Sequence, residues 1–441
     1  MVDLRRLAPV LGAALLVSAA CSPAAPAASP TTAPAPGSTT APAKPTTAAA
    51  ASAVAVASPA TSASPPPTVS AAPSSVASPM VSPMASPMAS PAASPAASPA
   101  ASPAAAAGGQ TAAIESGCPN QPVAGARPLK VGLVTDVGQV DDKSFNQSAW
   151  EGVQCAGKNL GAQVKFVETT DAKDYGRNID QFAQDNYDVI VTVGFALGEA
   201  TTAAAKQYPN IKFIGVDQAQ DTTVPNLAGL IFNEDKAGYL AGYLAGLMST
   251  SGTVGQVLGT PVVPPVEAYG VGYVNGAKDA KASVKILSAC HPGGLAKGFV
   301  DPEWGKDTAT LQMNQGADVI FAAGGKTGNG GLLAIADRGG SVLGIGVDTD
   351  QYLSLPEAKS ILVSSAMKLI TPGVFKIVKA NLDGTFQGGN NVGDVGLAPY
   401  HDLDARVSAD VKGKMTQVNA DVLSGKVNTK WGKPTGNCPQ G

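Results

Sequence analysis

From residue 129 onward the chain switches repeatedly between two hydrophobic periods. Runs of consecutive apolar residues, bounded by turn formers, alternate with stretches whose apolar residues recur at helical spacing. Residues 129–135 read as an apolar strand. Phe145, Ala149, Val153 and Leu160 then share one side of a helix that Ser144 can cap. QVKFVET is a second strand, 178–186 a helix, DVIVTVG a third strand and 197–207 a short alanine-rich helix, followed by strands IKFIGVD and LAGLIF. The series then repeats. Helix 235–248, strand TVGQVLG, helix 266–281, strand SVKILS, helix 302–314, strand ADVIFAAGG, helix 332–338 and strand SVLGIGVD follow in order. A strand-like run AKSILVSSAM and helices over 372–382 and 411–423 complete the pattern.

Continuous β-branched runs suit strands buried on both faces of a parallel sheet. Two similar β/α series therefore predict an α/β protein of two doubly wound, Rossmann-like lobes joined by a hinge. The chain is expected to cross between lobes near Asn233, near Asp348 and again after about Leu382. That division gives 126–232 plus about 349–385 to the first lobe and 233–348 plus about 386–431 to the second, with 432–441 as a tail.

The pattern is absent before residue 126. Residues from about 22 to 125 are nearly all Ala, Ser, Pro and Thr and hold most of the 35 prolines. Such a segment cannot bury enough apolar surface to offset its chain entropy, so 21–125 reads as a disordered linker. Its ASPM and ASPA repeats favour polyproline-like chain, and about 100 such residues reach roughly 300 Å when fully extended at about 3.1 Å each. Ahead of it, Arg5 and Arg6 precede an apolar run over 7–20 that is too short to span a bilayer, the form of a secretory signal in 1–20. VSAAC resembles a bacterial lipoprotein processing site, with Ala19 and Ala20 at its small positions and Ser18 where Leu is usual. Cys21 is thus the expected lipidation site. The outer face of the bacterial cytoplasmic membrane is the expected location.

Four further cysteines, Cys118, Cys155, Cys290 and Cys438, suit two disulfides in an exported chain, with three possible connectivities. Cys118 with Cys155 and Cys290 with Cys438 is the favoured pairing, free thiols the alternative. The net charge of −3 without a basic run argues against nucleic acid. Only His291 and His401 are present, which argues against histidine catalysis and a multi-histidine metal site. No metal or cofactor is expected.

The candidate chemistry lies at strand ends, where open α/β sheets bind ligands. The stretch DVGQVDDKSFNQSAW, between the first strand and first helix, brings acids, an amide and the Phe145 ring to such a place. Asp136, Asp217 and Asp348 each end a strand, and a carboxylate can accept hydrogen bonds from both hydroxyls of a sugar diol. Gly324 and Gly325 end another, where a ligand can approach the backbone closely. Aromatics make up only 5% of the chain, so Phe145 and Phe299, one per lobe, stand out as rings that could sandwich a flat heterocycle. Trp304 is the substitute second ring. Lys368 could donate to a ligand oxygen or balance the acids.

DVGQVDDKSFNQSAWEG resembles the opening motif of the basic membrane protein family, also called purine nucleoside receptor-like lipoproteins. So do VGFALGEA, NEDKAGYLAGYLAG, DPEWGKDTA followed by GADVIFAAGGKTGNG, and GVDTDQ, in order over about 130–425. The resemblance implies a type I periplasmic-binding fold that closes on a purine nucleoside as the solute-binding component of an ABC importer. Its partners would be the permease with its ATPase, and the membrane through a lipid anchor, with the binding protein itself a monomer. It also implies roles: Phe145 and Phe299 as stacking rings, Asp136 as a polar contact, Asn146 at the base edge, Gly325 as a backbone contact, and Asp348 with Lys368 on ribose hydroxyls. Phe299 lies in a segment, 291–300, that departs from the family pattern by carrying extra glycines beside Cys290.

Two rival classes remain on the residues alone. A nucleotide enzyme would need a phosphate loop, but Ile320 stands where GGKTGNGG would require glycine. A hydrolase has no G-x-S-x-G, and Asp141 and Asp142 read more simply as helix-start acids. The same fold holding a sugar or another small polar ligand, for uptake or sensing, is the alternative within the family's architecture.

Overall fold

The computed structural model describes residues 117–123 and 127–441. The secretory segment, Cys21 and the linker through residue 116 lie outside the described residues. The expected linker ran to residue 125, but the arm 117–123 belongs to the folded part. The Val123 N–H donates to the Asn159 carbonyl at 2.8 Å, the Asn159 amide donates to the Pro119 carbonyl at 3.0 Å, and Cys118 is bonded to Cys155.

The first lobe runs β1 (Lys130–Val137), α1 (Phe145–Leu160), β2 (Gln163–Thr169), α2 (Tyr175–Gln184), β3 (Val189–Val193), α3 (Gly198–Gln207), β4 (Lys212–Val216) and β5 (Leu227–Ile231). The second runs α4 (Glu234–Met248), β6 (Thr253–Leu258), α5 (Pro264–Ala280), β7 (Lys285–Cys290), α6 (Gly294–Lys297), α7 (Pro302–Asn314), β8 (Val319–Ala323), α8 (Gly325–Arg338), β9 (Leu343–Asp348), α9 (Gln351–Ser354) and β10 (Leu362–Lys368). The chain then returns to the first lobe for α10 (Ile370–Leu382) and β11 (Gly389–Val392), and to the second for β12 (Val395–Leu397) and α11 (Ala409–Leu423).

The sheets are ordered β11-β5-β4-β3-β1-β2 and β12-β10-β9-β8-β6-β7. Each core of five strands is parallel, in the same doubly wound order. The lobes differ at one edge: β11 pairs parallel with β5, whereas β12 pairs antiparallel with β10. Strand interiors such as Val189, Ile190 and Val191 are fully buried, which is why their runs show no polar alternation.

Two expected crossings move. The crossing placed near Asp348 occurs after Lys368, because β10 pairs with β9 and belongs to the second sheet. The crossing placed after about Leu382 occurs between Val392 and Val395, because α10 packs on α1 and β11 extends the first sheet. Leu362–Lys368 is apolar enough to finish either sheet, so its local pattern carries no lobe label.

The sequence pattern places the helix at 332–338, but α8 begins at Gly325. Close packing of α7 on α8 offsets the poor helix propensity of the α8 glycines. A side chain on Gly330 would overlap the Pro302 carbonyl, and one on Gly305 that of Thr327. The same device joins α4 to α5, where Gly242 meets the Tyr273 backbone and Gly276 that of Tyr239. At the far end the tail follows α5. The buried Glu267 carboxylate accepts from the backbone N–H groups of Thr435 and Gly436, both at 2.9 Å, and Cys438 is bonded to Cys290.

Candidate functional site

The doubly wound order reverses between β1 and β3 in one lobe and between β6 and β8 in the other, and such reversals open crevices at strand ends. One cavity lies between the lobes at these crevices. Asp136, Phe145, Asn146 and Asp217 line it from the first lobe, and Phe299, Gly325, Asp348 and Lys368 from the second. All eight candidate residues therefore meet in one place. Trp304 does not join them; it lies edge-on to the His291 ring at 4.7 Å.

The local sequence explains how the acids reach inward. Ile-Gly-Val-Asp closes β9 and runs one residue past β4, and both aspartates adopt left-handed backbone, with φ of 59° at Asp217 and 64° at Asp348. Non-glycine residues pay about 1 kcal/mol or more for that region, and such conformations gather at functional sites. Gly194, at the end of β3 with φ of 109°, is required for a second reason: a Cβ there would overlap the Asp136 carboxylate.

α1 starts differently from expectation. Ser144 occupies the capping position, but its side chain caps nothing. Asp142 does that work from two residues earlier, accepting from the N–H groups of Ser144 at 3.0 Å, Asn146 at 2.9 Å and Gln147 at 3.1 Å. Asp141 is exposed and pairs with Lys326 at 3.1 Å. The two adjacent acids are thus a helix-start cap and a surface partner, which leaves no reason to read them as a catalytic pair.

The floor of the cavity is a buried charge cluster. The Lys368 ammonium lies 2.5 Å from Asp217, 3.4 Å from Glu234 and 3.7 Å from Asp348, and 4.6 Å from the centre of the Phe145 ring. Burial disfavours its charge, but the three carboxylates outweigh burial and hold it protonated. One ammonium cannot balance three acids. Burial accordingly pushes Glu234 up to about 8, partly opposed by Lys368, and raises Asp217 as well. Nearby, burial pushes Asp136 up to about 7 and Asp142 to about 6. Among the described residues, Asp217 Oδ1 and Asn146 Oδ1 are buried without a hydrogen-bond partner. Buried acceptors of this kind cost free energy unless a donor meets them. The cavity is therefore suited to a ligand rich in N–H or O–H donors and hostile to phosphate.

The cavity is small, with about 70 Å³ free inside, below the ~300 Å³ at which small-molecule sites usually begin. Past Phe195 and Leu295 it gives onto an outer groove of about 1670 Å³ walled by both lobes and by Trp431.

Glu234, Tyr269 and Lys326 belong to the site but were not singled out from sequence. Glu234 sits within the NEDKAGYLAG motif, and only the chain crossing beside it brings it to Lys368. Tyr269 lines the cavity from the interior of α5, where its spacing reads as core.

Residues 129–397 match a family described as ABC transporter substrate-binding protein PnrA-like. An ABC transporter nucleoside-binding protein, BmpA, from Lactococcus lactis is 30% identical over 344 residues, covering 72% of this chain and 95% of that protein. Basic membrane protein A from Borreliella burgdorferi is 30% identical over 278 residues, covering 62% of this chain and 78% of that protein. A solved solute-binding protein of an ABC transporter system from Aeropyrum pernix superposes with a TM-score of 0.61 at 24% identity, over 68% of this chain and 93% of that one. That last likeness shows the fold alone.

Proposed function

The chain belongs to the family of PnrA-like ABC transporter substrate-binding proteins, and from that premise we propose that its cavity takes a purine nucleoside. Phe145 and Phe299 supply the faces for the heterocycle, Asp136 and Asn146 meet its edge, and Asp217, Asp348 and Lys368 grip the ribose hydroxyls. Gly325 lets the ligand approach the backbone at the start of α8. Closure is a hinge motion whose closed form is stabilised by contacts from both lobes. Cys21 carries the lipid anchor, the linker spaces the lobes from the membrane, and the permease receives the nucleoside. No hydrolase or ATPase activity is expected of the chain itself.

The observation that carries this reading is the floor of the cavity: one buried ammonium among three acids, with two unpaired buried acceptors in the same lining. A neutral ligand with a donor-bearing ring and a diol satisfies that floor, and a nucleotide does not. The L. lactis relative named for nucleoside binding points the same way. A sugar is the second reading, because the acids would grip hydroxyls whatever else the ligand carried. Titration calorimetry with inosine, guanosine, adenosine, cytidine, ribose and adenine separates the two. Micromolar or tighter binding of purine nucleosides with weak binding of ribose is expected; ribose binding as tightly as inosine would overturn the nucleoside assignment.

A further inference from the structure

We propose that Ser144 is a positioning residue that makes the grip of Asp348 depend on lobe closure. The inference rests on the nucleoside reading for its ligand, and on the following geometry for everything else. Ser144 is fully buried at the start of α1. A serine there ordinarily caps its own helix, but Asp142 already accepts from the backbone donors at this end. The Ser144 hydroxyl is thereby released, and it crosses to the other lobe. It donates to Asp348 Oδ2 at 2.7 Å, with the Val347 carbonyl at 3.4 Å.

The rest of the same loop docks alongside. The Asn329 amide donates to the Asp142 carbonyl at 2.7 Å. Ser354 Oγ and the Gln351 amide donate to the Lys143 carbonyl at 2.7 and 3.2 Å. Each of these bonds runs between lobes, so each is made only when the lobes are together. Asp348 Oδ1 faces Lys368 at 3.7 Å, a partner within its own sheet that stays with it when the lobes part. The second oxygen depends on Ser144. Parting the lobes removes that bond and frees the carboxylate to rotate about its side-chain torsions. Closing them turns one oxygen to the hydroxyl and holds the other toward the cavity. Ser144 thus couples the position of one lobe to the readiness of the other lobe's sugar contact.

The test compares wild type, Ser144→Ala, Asp348→Ala and the double variant, each first checked for folding by thermal unfolding. Ser144→Ala is expected to weaken inosine about tenfold and hypoxanthine by a clearly smaller factor, that of the lost closure alone. In the Asp348→Ala background, where the hydroxyl has no acceptor left on that side chain, it should add little to the loss for inosine. Equal losses for nucleoside and free base, or effects that multiply in the double variant, would show Ser144 to be mere packing. A ligand-free arm separates this from the nucleoside reading. With labels at Arg177 and Leu311, one on each lobe, Ser144→Ala should shift the interlobe distance toward the open form. An unchanged distance distribution overturns the coupling whatever the ligand proves to be, whereas wild type that ignores inosine overturns the nucleoside reading.

Discussion

The two lobes carry the same four residues at the ends of their fourth strands, yet the two aspartates are held in different ways. Asp217 spends one oxygen on Lys368 at 2.5 Å and leaves the other bare. Asp348 stands farther from the ammonium, at 3.7 Å, and takes its close bond from Ser144 across the cleft. Identical local sequence goes with the same left-handed backbone at both residues. What differs is the partner each finds on the facing lobe. The first lobe brings acids, an amide and a capped helix start; the second brings the lysine and a glycine-rich helix start. A cleft built from two copies of one architecture becomes asymmetric through its loops, which is what an asymmetric ligand requires.

The harshest way to break this arrangement is to remove the ammonium. Lys368→Ala leaves three buried acids without a cation, a loss of roughly 3–5 kcal/mol by analogy with broken buried pairs. Urea unfolding should show a large drop in midpoint, and nucleoside binding should vanish. Next come the rings. Phe145→Ala and Phe299→Ala should each weaken inosine by tenfold or more in calorimetry without unfolding the protein. Phe145 should matter more, because its ring also covers Lys368. Unchanged affinity in Phe145→Ala would remove the stacking role. Asp348→Ala should then erase most of the difference between a nucleoside and its free base, while Asp217→Asn should leave more of that difference intact.

The gentlest probe is pH. Asp136, Asp142 and Glu234 bind protons more tightly folded, with pKa values of about 7, 6 and 8, than unfolded, where 3.8 and 4.5 apply. The folded state therefore holds more protons between about pH 4 and pH 8, and stability falls as pH rises through that window. The ligand-free protein should melt several degrees higher at pH 5 than at pH 8. Saturating nucleoside should flatten the trend, because its donors favour the carboxylate forms. A melting temperature that rises across this window would contradict the burial of these acids.

Much of the site could be read before the fold was known, because strand ends, scarce rings and turn-bounded runs are local features. Asp136, Asp217 and Asp348 were visible as strand-terminal acids, and Phe145 as an unusual ring in a first helical turn. What escaped depended on long-range placement. β10 carries no mark of its sheet, so the crossing expected near Asp348 falls twenty residues before the one observed after Lys368. Glu234 needed the crossing beside it to become a neighbour of Lys368. The glycines of α8 fall outside the expected helix because their reward is close packing on α7, which no propensity records. Ser144 looked like a cap because the better-placed carboxylate lies two residues earlier. The repeated Ile-Gly-Val-Asp is the local mark of equivalent positions in the two lobes.

The two disulfides have a mechanical consequence. Cys118–Cys155 fastens the entering arm to the first lobe, and Cys290–Cys438 fastens the departing tail to the second. Neither spans the swivel. Each half carries its own buckle, and forming the two bonds tightens both halves while leaving the three strands of chain between them free to bend.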